Sequence, residues 1–151
     1  MKNLIIISEK TFEKAKIEIR KNKDKQIIFS GNDDDLNRKI LEKEKIDVLL
    51  INQKERKDKQ KQRDSGFNQV LAKIAGKNKI AIGINLDEII NTNGKEKSEI
   101  LARIQQNIKL CNKKKIQMYF ITQNKKNSKE VYDLKALGLT LGMPTLMTKN
   151  F

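Results

Sequence analysis

Five short apolar runs recur along the chain, each with the length and β-branched content of a buried strand. They cover residues 4–7, 27–29, 48–51, 80–84 and 118–121. Strands that face water on one side alternate apolar and polar residues, whereas these runs are nearly continuous. The pattern therefore predicts strands that are covered on both faces.

Helical patterns lie between most of the runs. Phe67, Val70, Leu71, Ile74 and Ala75 follow the three- and four-residue spacing of an amphipathic helix. The longest helix is predicted over about residues 95–113, with one apolar face. The remaining helices are predicted to start at Ser8 or Thr11, after Gly31-Asn32 with Asp33, Asp34 and Asp35 in the first turn, and at Ser128, with Gly138 as a C-terminal cap.

Alternating strands and helices predict an α/β fold with a parallel sheet and right-handed crossovers. We expect a single domain over residues 1–151. Two arrangements are compatible with the pattern, a doubly wound five-stranded sheet and an incomplete TIM-barrel-like sheet of about five or six βα units. A complete barrel of eight units usually needs more than about 200 residues.

Composition narrows the classes of function. The formal net charge is +14, which favours polyanionic partners. The chain contains no histidine, which excludes Ser-His-Asp and Cys-His catalytic sites and His-ligated zinc. Cys111 is the lone cysteine, so no intrachain disulfide forms. A carboxylate-only Mg²⁺ site at Asp87 and Glu88 stays open. No apolar run approaches membrane-spanning length, and we expect a cytoplasmic protein without a membrane partner.

Positive charge is concentrated in a segment between the third strand and the Phe67 helix, which we call the basic loop (residues 54–63). In a parallel sheet this segment leaves the carboxyl edge, where binding sites form. Further cations follow the fifth strand and lie on the long helix, opposite its apolar face. The candidate RNA-binding residues are Lys54, Arg56, Lys57, Lys59, Lys61, Arg63, Arg103, Lys109, Lys113, Lys114, Lys125 and Lys126.

The basic loop ends at Asp64-Ser65-Gly66, a turn and helix-start signal. We expect Asp64 and Ser65 to cap the helix that follows. Arg63 then lies beside a helix N-terminus, where it and the free amides favour a phosphate.

The segment from Arg63 to Ala75 (RDSGFNQVLAKIA) resembles the signature of the archaeal ribonuclease P protein component 3 family. Similar features follow along residues 45–143: a strand ending in Asn85-Leu86, the long helix with Arg103 and Asn107, and a Leu-Gly-Met pattern at 141–143. Gln69 stands where the family commonly has histidine, and Phe67 where an aliphatic residue is usual.

This resemblance implies a barrel-like fold and a non-catalytic protein subunit of ribonuclease P, in a shortened form. The complex removes the 5′ leader of precursor tRNA, and its RNA performs the Mg²⁺-assisted cleavage. The implied partners are the ribonuclease P RNA, which the basic surface would bind and help to fold, and a small subunit that resembles an RNA-recognition motif. No cofactor is implied for the protein. A generic RNA- or ribosome-binding protein and a metal-dependent phosphoesterase are the alternatives.

Overall fold

The computed structural model describes residues 3–151. Its strands are β1 (Leu4–Ile7), β2 (Gln26–Gly31), β3 (Val48–Ile51), β4 (Ala81–Asn85) and β5 (Met118–Ile121). Its helices are α1 (Phe12–Lys21), α2 (Asp34–Lys43), α3 (Gln69–Asn78), α4 (Leu86–Asn91), α5 (Gly94–Lys114), α6 (Val131–Leu141) and α7 (Thr145–Thr148), with a 3₁₀ turn at Lys125–Asn127. All five predicted strands are present, and their ends shift by no more than two residues.

The strands form one parallel sheet in the order β1-β2-β3-β4-β5. A doubly wound sheet reverses its strand order partway, and this sheet does not. Right-handed crossovers in an unreversed order place every connecting helix on the same face. The structure therefore confirms the α/β fold and decides for the incomplete barrel, with five strands.

The two faces of the sheet are packed differently. The helix-covered face carries the large core, which includes Phe29, Leu49 and Ile82 and the inner sides of α2, α3 and α5. The opposite face packs strand side chains against one another, with Ile28, Val48 and Leu50 buried at its centre. Gly83 lies on this second face, where an added Cβ would meet Val48 at 3.1 Å and Leu50 at 3.2 Å. Close packing without a helical cover is typical of a sheet curved toward a barrel interior.

Both ends of the last long helix differ from the prediction. The last long helix starts at Val131 rather than Ser128, because Ser128 and Glu130 are extended after the 3₁₀ turn. Gly138 is not its C-terminal cap: it lies inside α6, and Gly142 ends the helix with φ of 106°. Gly138 instead permits close packing, since a Cβ there would lie 2.8 Å from the sulfur of Met143.

The start of α2 agrees with the prediction. Asp33 caps the helix by accepting from the amide of Asp35, and Asp34 and Asp35 lie in its first turn. Across residues 3–151, no helix combines the length and apolar character that a bilayer crossing needs.

Candidate nucleic-acid interface

The basic loop leaves the carboxyl end of β3 and folds into a compact excursion before α3. Its tip is a tight turn, in which Lys59 and Gln62 exchange backbone hydrogen bonds of 2.8 and 3.2 Å. Lys61 lies within this turn and is exposed. The prediction that the loop emerges at the carboxyl edge of the sheet is confirmed.

Arg103, in the middle of α5, binds the basic loop. It is only 2% exposed. Its Nε donates to Asp58 at 2.9 Å, and its two terminal nitrogens donate to the carbonyls of Gln53 at 3.2 Å and Arg56 at 2.8 Å. The prediction that Arg103 lies on an RNA-facing surface is therefore wrong, because its charge is used inside the protein.

The spacing along α5 contains the signal that was missed. Arg103 follows Ile100 by three residues, and Asn107 follows Ile104 by three, so both fall within the apolar face. Asn107 is 3% exposed and donates to the carbonyl of Ser65 at 3.3 Å. Polar residues at core positions of a helix indicate buried partners, which here are the two ends of the basic loop.

Arg56 is a second internal anchor. Its Nε donates to the carbonyl of Asn52 at 2.7 Å, and its terminal nitrogens bind Asp34 at 2.8 and 3.0 Å and Asp64 at 3.2 Å. Burial opposes its charge, but these carboxylates outweigh burial and raise the pKa of Arg56. With its side chain 11% exposed, Arg56 ties the loop to α2 and offers little to a ligand.

Asp58 joins the middle of the loop to α5 and to Asp64, the residue that follows the loop. Its carboxylate accepts from Arg103 and, at 2.8 Å, from the amide of Asp64. The hydrogen bond from Arg103 is the main cause that lowers the pKa of Asp58, and the Asp64 amide adds to it. Asp58 therefore stays charged at a lower pH than an ordinary aspartate does, and its contacts hold the loop together.

The predicted helix cap at Asp64 and Ser65 is wrong. Asn68 caps α3, accepting from the amide of Leu71 at 3.0 Å, and the helix begins at Gln69. The carboxylate of Asp64 accepts from Arg56, and the buried hydroxyl of Ser65 donates to the carbonyl of Phe67 at 3.1 Å. The helix starts later than the apolar pattern predicts because residues 64–67 form the turn that closes the basic loop.

Gly66 has two reasons to be glycine. Its φ is 72°, a left-handed conformation that side chains disfavour. An added Cβ would also clash with the guanidinium of Arg56. The Asp-Ser-Gly turn is thus the part of the chain that lets Arg56 pack against it and close the basic loop.

Two neighbouring carboxylates at the start of α4 anchor the two cationic loops, one each. Glu88 accepts from the amide of Gln53 at 2.7 Å, at the entry of the basic loop. Asp87 accepts from the amide of Gln123 at 2.9 Å and from the side chains of Asn127 and Thr122, in the loop after β5. Desolvation raises the pKa of Glu88, partly offset by the amides it accepts from.

For Asp87 the balance is the opposite. Desolvation acts to raise its pKa, but the hydrogen bonds from Thr122 and Asn127 outweigh burial and lower it. Both carboxylates are occupied by loop contacts. No group of three or more metal-binding side chains occurs among residues 3–151. Asp87 and Glu88 therefore have no third carboxylate, histidine or cysteine beside them among these residues.

These anchors leave a set of cations free at the carboxyl end. Each is exposed, and none forms an ion pair with another of residues 3–151. The set is Lys54, Lys57, Lys59, Lys61 and Arg63 from the basic loop, with Lys125 and Lys126 from the loop after β5.

A cleft of about 810 Å³ lies beside these cations and contains Lys54, Lys57 and Gln123 in its wall. A chain of amide contacts forms its floor: Asn85 donates to Asn52 at 2.8 Å, and Asn52 donates to Ser30 at 3.0 Å. The two cationic loops therefore meet across a polar floor at the carboxyl ends of β2, β3 and β4.

The remaining predicted residues lie elsewhere. Lys109, Lys113 and Lys114 are exposed near the C-terminus of α5, which lies at the amino end of the strands. A helix rises about 1.5 Å per residue, so Lys113 is roughly 15 Å along α5 from the level of Arg103. The cations therefore divide between the two ends of the sheet.

Comparison with known proteins agrees with this architecture. The family model described as RNase P subunit p30 matches residues 5–151, beyond the segment in which the sequence motifs were found. The chain therefore belongs to the RNase P subunit p30 family. The match begins within β1, so it includes all but the first residue of the five-stranded sheet.

Similar curated relatives carry the name ribonuclease P protein component 3. The one from Methanocaldococcus jannaschii is 31% identical over 136 residues, which is 89% of this chain and 56% of that protein. The one from Methanosarcina acetivorans is 33% identical over 87 residues, which is 58% of this chain and 34% of that protein. The chain thus spans about half the length of the first of these relatives.

A solved structure gives the same fold. One chain in the cryo-EM structure of archaeal ribonuclease P with mature tRNA matches with a TM-score of 0.79 and 25% identity. The match covers 98% of this chain and 63% of that chain. The likeness therefore extends over nearly all of the curved sheet and its helices.

Proposed function

We propose that this protein is a subunit of the ribonuclease P ribonucleoprotein, which removes the 5′ leader of precursor tRNA. Family membership and the likeness to a chain of an archaeal ribonuclease P support this proposal. The partners we propose are the ribonuclease P RNA, the small subunit that resembles an RNA-recognition motif, and precursor tRNA as substrate of the complex. A cytoplasmic location stays a prediction.

One observation carries the proposal for RNA binding: the basic loop is folded by the buried Arg103 and the largely buried Arg56, while its exposed cations form no ion pair among the described residues. Like charges held together on an ordered loop repel one another, and phosphates relieve that repulsion. A folded loop also loses less conformational entropy on binding than a disordered one. We therefore propose that the loop binds the RNA backbone and helps the RNA to fold.

We further propose that the protein itself is not catalytic and that the RNA uses the Mg²⁺. The absence of histidine from the sequence supports this, since general acid–base chemistry near neutral pH relies on it most often. Three of the four carboxylates that line the cleft are engaged, since Asp34 and Asp64 bind Arg56 and Glu88 holds the entry of the loop; the fourth, Glu55, is exposed.

Reconstitution with an archaeal ribonuclease P RNA, the other protein subunits and precursor tRNA tests this function. We expect the protein to lower the Mg²⁺ concentration needed for cleavage, and only when the RNA is present. Hydrolysis by the protein alone would identify a phosphoesterase instead. Binding without any effect on cleavage would identify a generic RNA-binding protein.

A matched pair of variants tests the surface. Lys59→Gln with Lys61→Gln removes two charges from the tip of the basic loop, and Lys39→Gln with Lys73→Gln removes two from the exposed middles of α2 and α3. The first pair should reduce the slope of log K against log salt by about two, since each phosphate contact contributes about one. Equal slopes for the two pairs would contradict the proposal.

A further inference from the structure

The C-termini of the helices bring a second group of cations to the amino end of the sheet. Since each helix runs antiparallel to the strand that follows it, its last residues lie at that strand's start. The exposed lysines there are Lys21, Lys23, Lys45, Lys77, Lys79, Lys113, Lys114 and Lys115. We call these residues the amino-end lysines.

Helix dipoles favour cations at helix C-termini, but two of the amino-end lysines have an additional cost. Lys79 and Lys115 end α3 and α5 in the left-handed conformation, with φ of 55° and 57°. A residue with a Cβ disfavours that conformation, and glycine usually occupies it. The same chain uses glycine at the equivalent end of α6, where Gly142 has φ of 106°.

The two lysines are also neighbours. Each is followed by a buried isoleucine that leads into a strand, Ile80 before β4 and Ile116 before β5. These strands pair with Ile82 opposite Met118, so Lys79 and Lys115 enter the sheet side by side. Adjacent like charges repel each other. An anion bound between them relieves this repulsion and gives a reason for lysine at two positions that suit glycine.

Lys79 and Lys115 border one cavity of about 750 Å³, which opens at the amino ends of the strands. Asp47 is the carboxylate in its wall, and one of its oxygens accepts from the amide of Ile27 at 2.8 Å. The wall therefore contains two lysines, neither ion-paired within residues 3–151, against one carboxylate already engaged by the backbone. Its charge matches a phosphate group.

We propose that Lys79 and Lys115 form a second phosphate-binding site, so that the protein contacts RNA at both ends of its sheet. This inference depends on the proposed RNA-binding function. Lys115 lies twelve residues beyond Arg103, the α5 residue that holds the basic loop, so at about 1.5 Å per residue the two levels are roughly 18 Å apart along the helix. The two sites therefore contact separate segments of the folded RNA and hold them apart at a fixed distance.

The test uses glycine, because glycine suits the backbone while it removes the charge. Lys79→Gly with Lys115→Gly should melt at or above the wild-type temperature, since φ near 55° no longer opposes a side chain. The same variant should lose affinity for a transcribed archaeal ribonuclease P RNA. Its slope of log K against log salt should fall by about two relative to the wild type.

The Lys39→Gln with Lys73→Gln protein is the control, because it loses the same net charge from the helix middles. A double-glycine variant with the slope of this control would overturn the inference. Ribonuclease footprinting should show two protected RNA segments. One should be lost with the glycine pair and the other with Lys59→Gln and Lys61→Gln; a single segment lost with both pairs would also overturn it.

The two proposals fail in different ways. If the wild type binds RNA and only the basic-loop pair weakens it, the second site is wrong and the proposed function stands. If only the glycine pair weakens binding, the basic loop is not the interface that we propose. Absence of binding by the wild type would refute both.

Discussion

Replacing Arg103 tests whether an interior cation organises the basic loop. Arg103→Met keeps much of the side-chain length but removes the three hydrogen bonds to Asp58, Gln53 and Arg56. A net hydrogen bond contributes about 1 kcal/mol and a charged one about 1.5–3 kcal/mol, so the three together contribute roughly 4 kcal/mol. The Asp58 side chain is 24% exposed, and water recovers part of that loss. We therefore expect destabilisation of about 3 kcal/mol.

Urea unfolding followed by circular dichroism measures this change. The control is Arg38→Met, which breaks an exposed pair one helical turn apart, Arg38 with Glu42 at 2.9 Å. Such pairs contribute about 0.3–0.5 kcal/mol. A loss below about 1 kcal/mol for Arg103→Met would refute the reasoning, because the buried contacts would then be no stronger than surface ones.

Hydrogen exchange locates the effect. The amide of Asp64 donates to Asp58 at 2.8 Å, and that carboxylate depends on Arg103 for its position. In Arg103→Met the exchange rate of this amide should increase, relative to the wild type, by more than the exchange rates of the β3 amides do. Uniform acceleration across the sheet would instead show that Arg103 supports the whole fold and has no special role in the loop.

Three further predictions concern single residues. Gly66→Ala should destabilise the protein more than Gly94→Ala. Both positions have positive φ, of 72° and 56°, but a Cβ at Gly66 clashes with Arg56, whereas a Cβ at Gly94 meets nothing within 4 Å. Equal losses of stability in thermal unfolding would show that the clash has no cost. Cys111 is buried, and burial raises its pKa to about 12. A thiol reagent at pH 8 should therefore label it only as fast as the protein unfolds. Rapid labelling of the native protein would contradict the packing of α5. The pKa of Asp58 is lowered in the folded state, so its ionic contribution to stability is present above its ordinary pKa near 3.8 and is lost as pH falls through the lower folded value. The difference in unfolding free energy between wild type and Asp58→Asn should therefore be constant at pH 5–7 and shrink below about pH 4. A difference that stays constant into acid would refute this prediction.

The sequence predicted the sheet well because its strands are short, continuous apolar runs that period and composition identify. It could not choose between a doubly wound sheet and an incomplete barrel, since that choice depends on strand order, and local pattern does not encode order. The helix ends were less accurate. Asn68 caps the helix instead of Asp64 or Ser65, because Asp64 accepts from Arg56 and Ser65 donates to the carbonyl of Phe67 two residues further along.

The charge pattern located the basic loop but could not separate the exposed cations from the cations that build the loop. Arginine is a residue type that is usually exposed, so Arg103 and Arg56 were expected at the surface. Only the helical spacing around Arg103 indicates burial. The roles of Asp87 and Glu88 could not be predicted at all, because their partners lie 35 to 40 residues away in sequence. Contacts at that separation depend on the topology that brings strand ends together.

The strand order also affects how the chain acquires its structure during synthesis. Each strand pairs with the one made immediately before it, so the sheet can grow by adding units in the order of translation. The basic loop is an exception, since Asp58 must wait for Arg103, which lies 45 residues further along. A nascent chain that ends after β4 therefore has most of its core but lacks an ordered basic loop, and gains it only when α5 emerges.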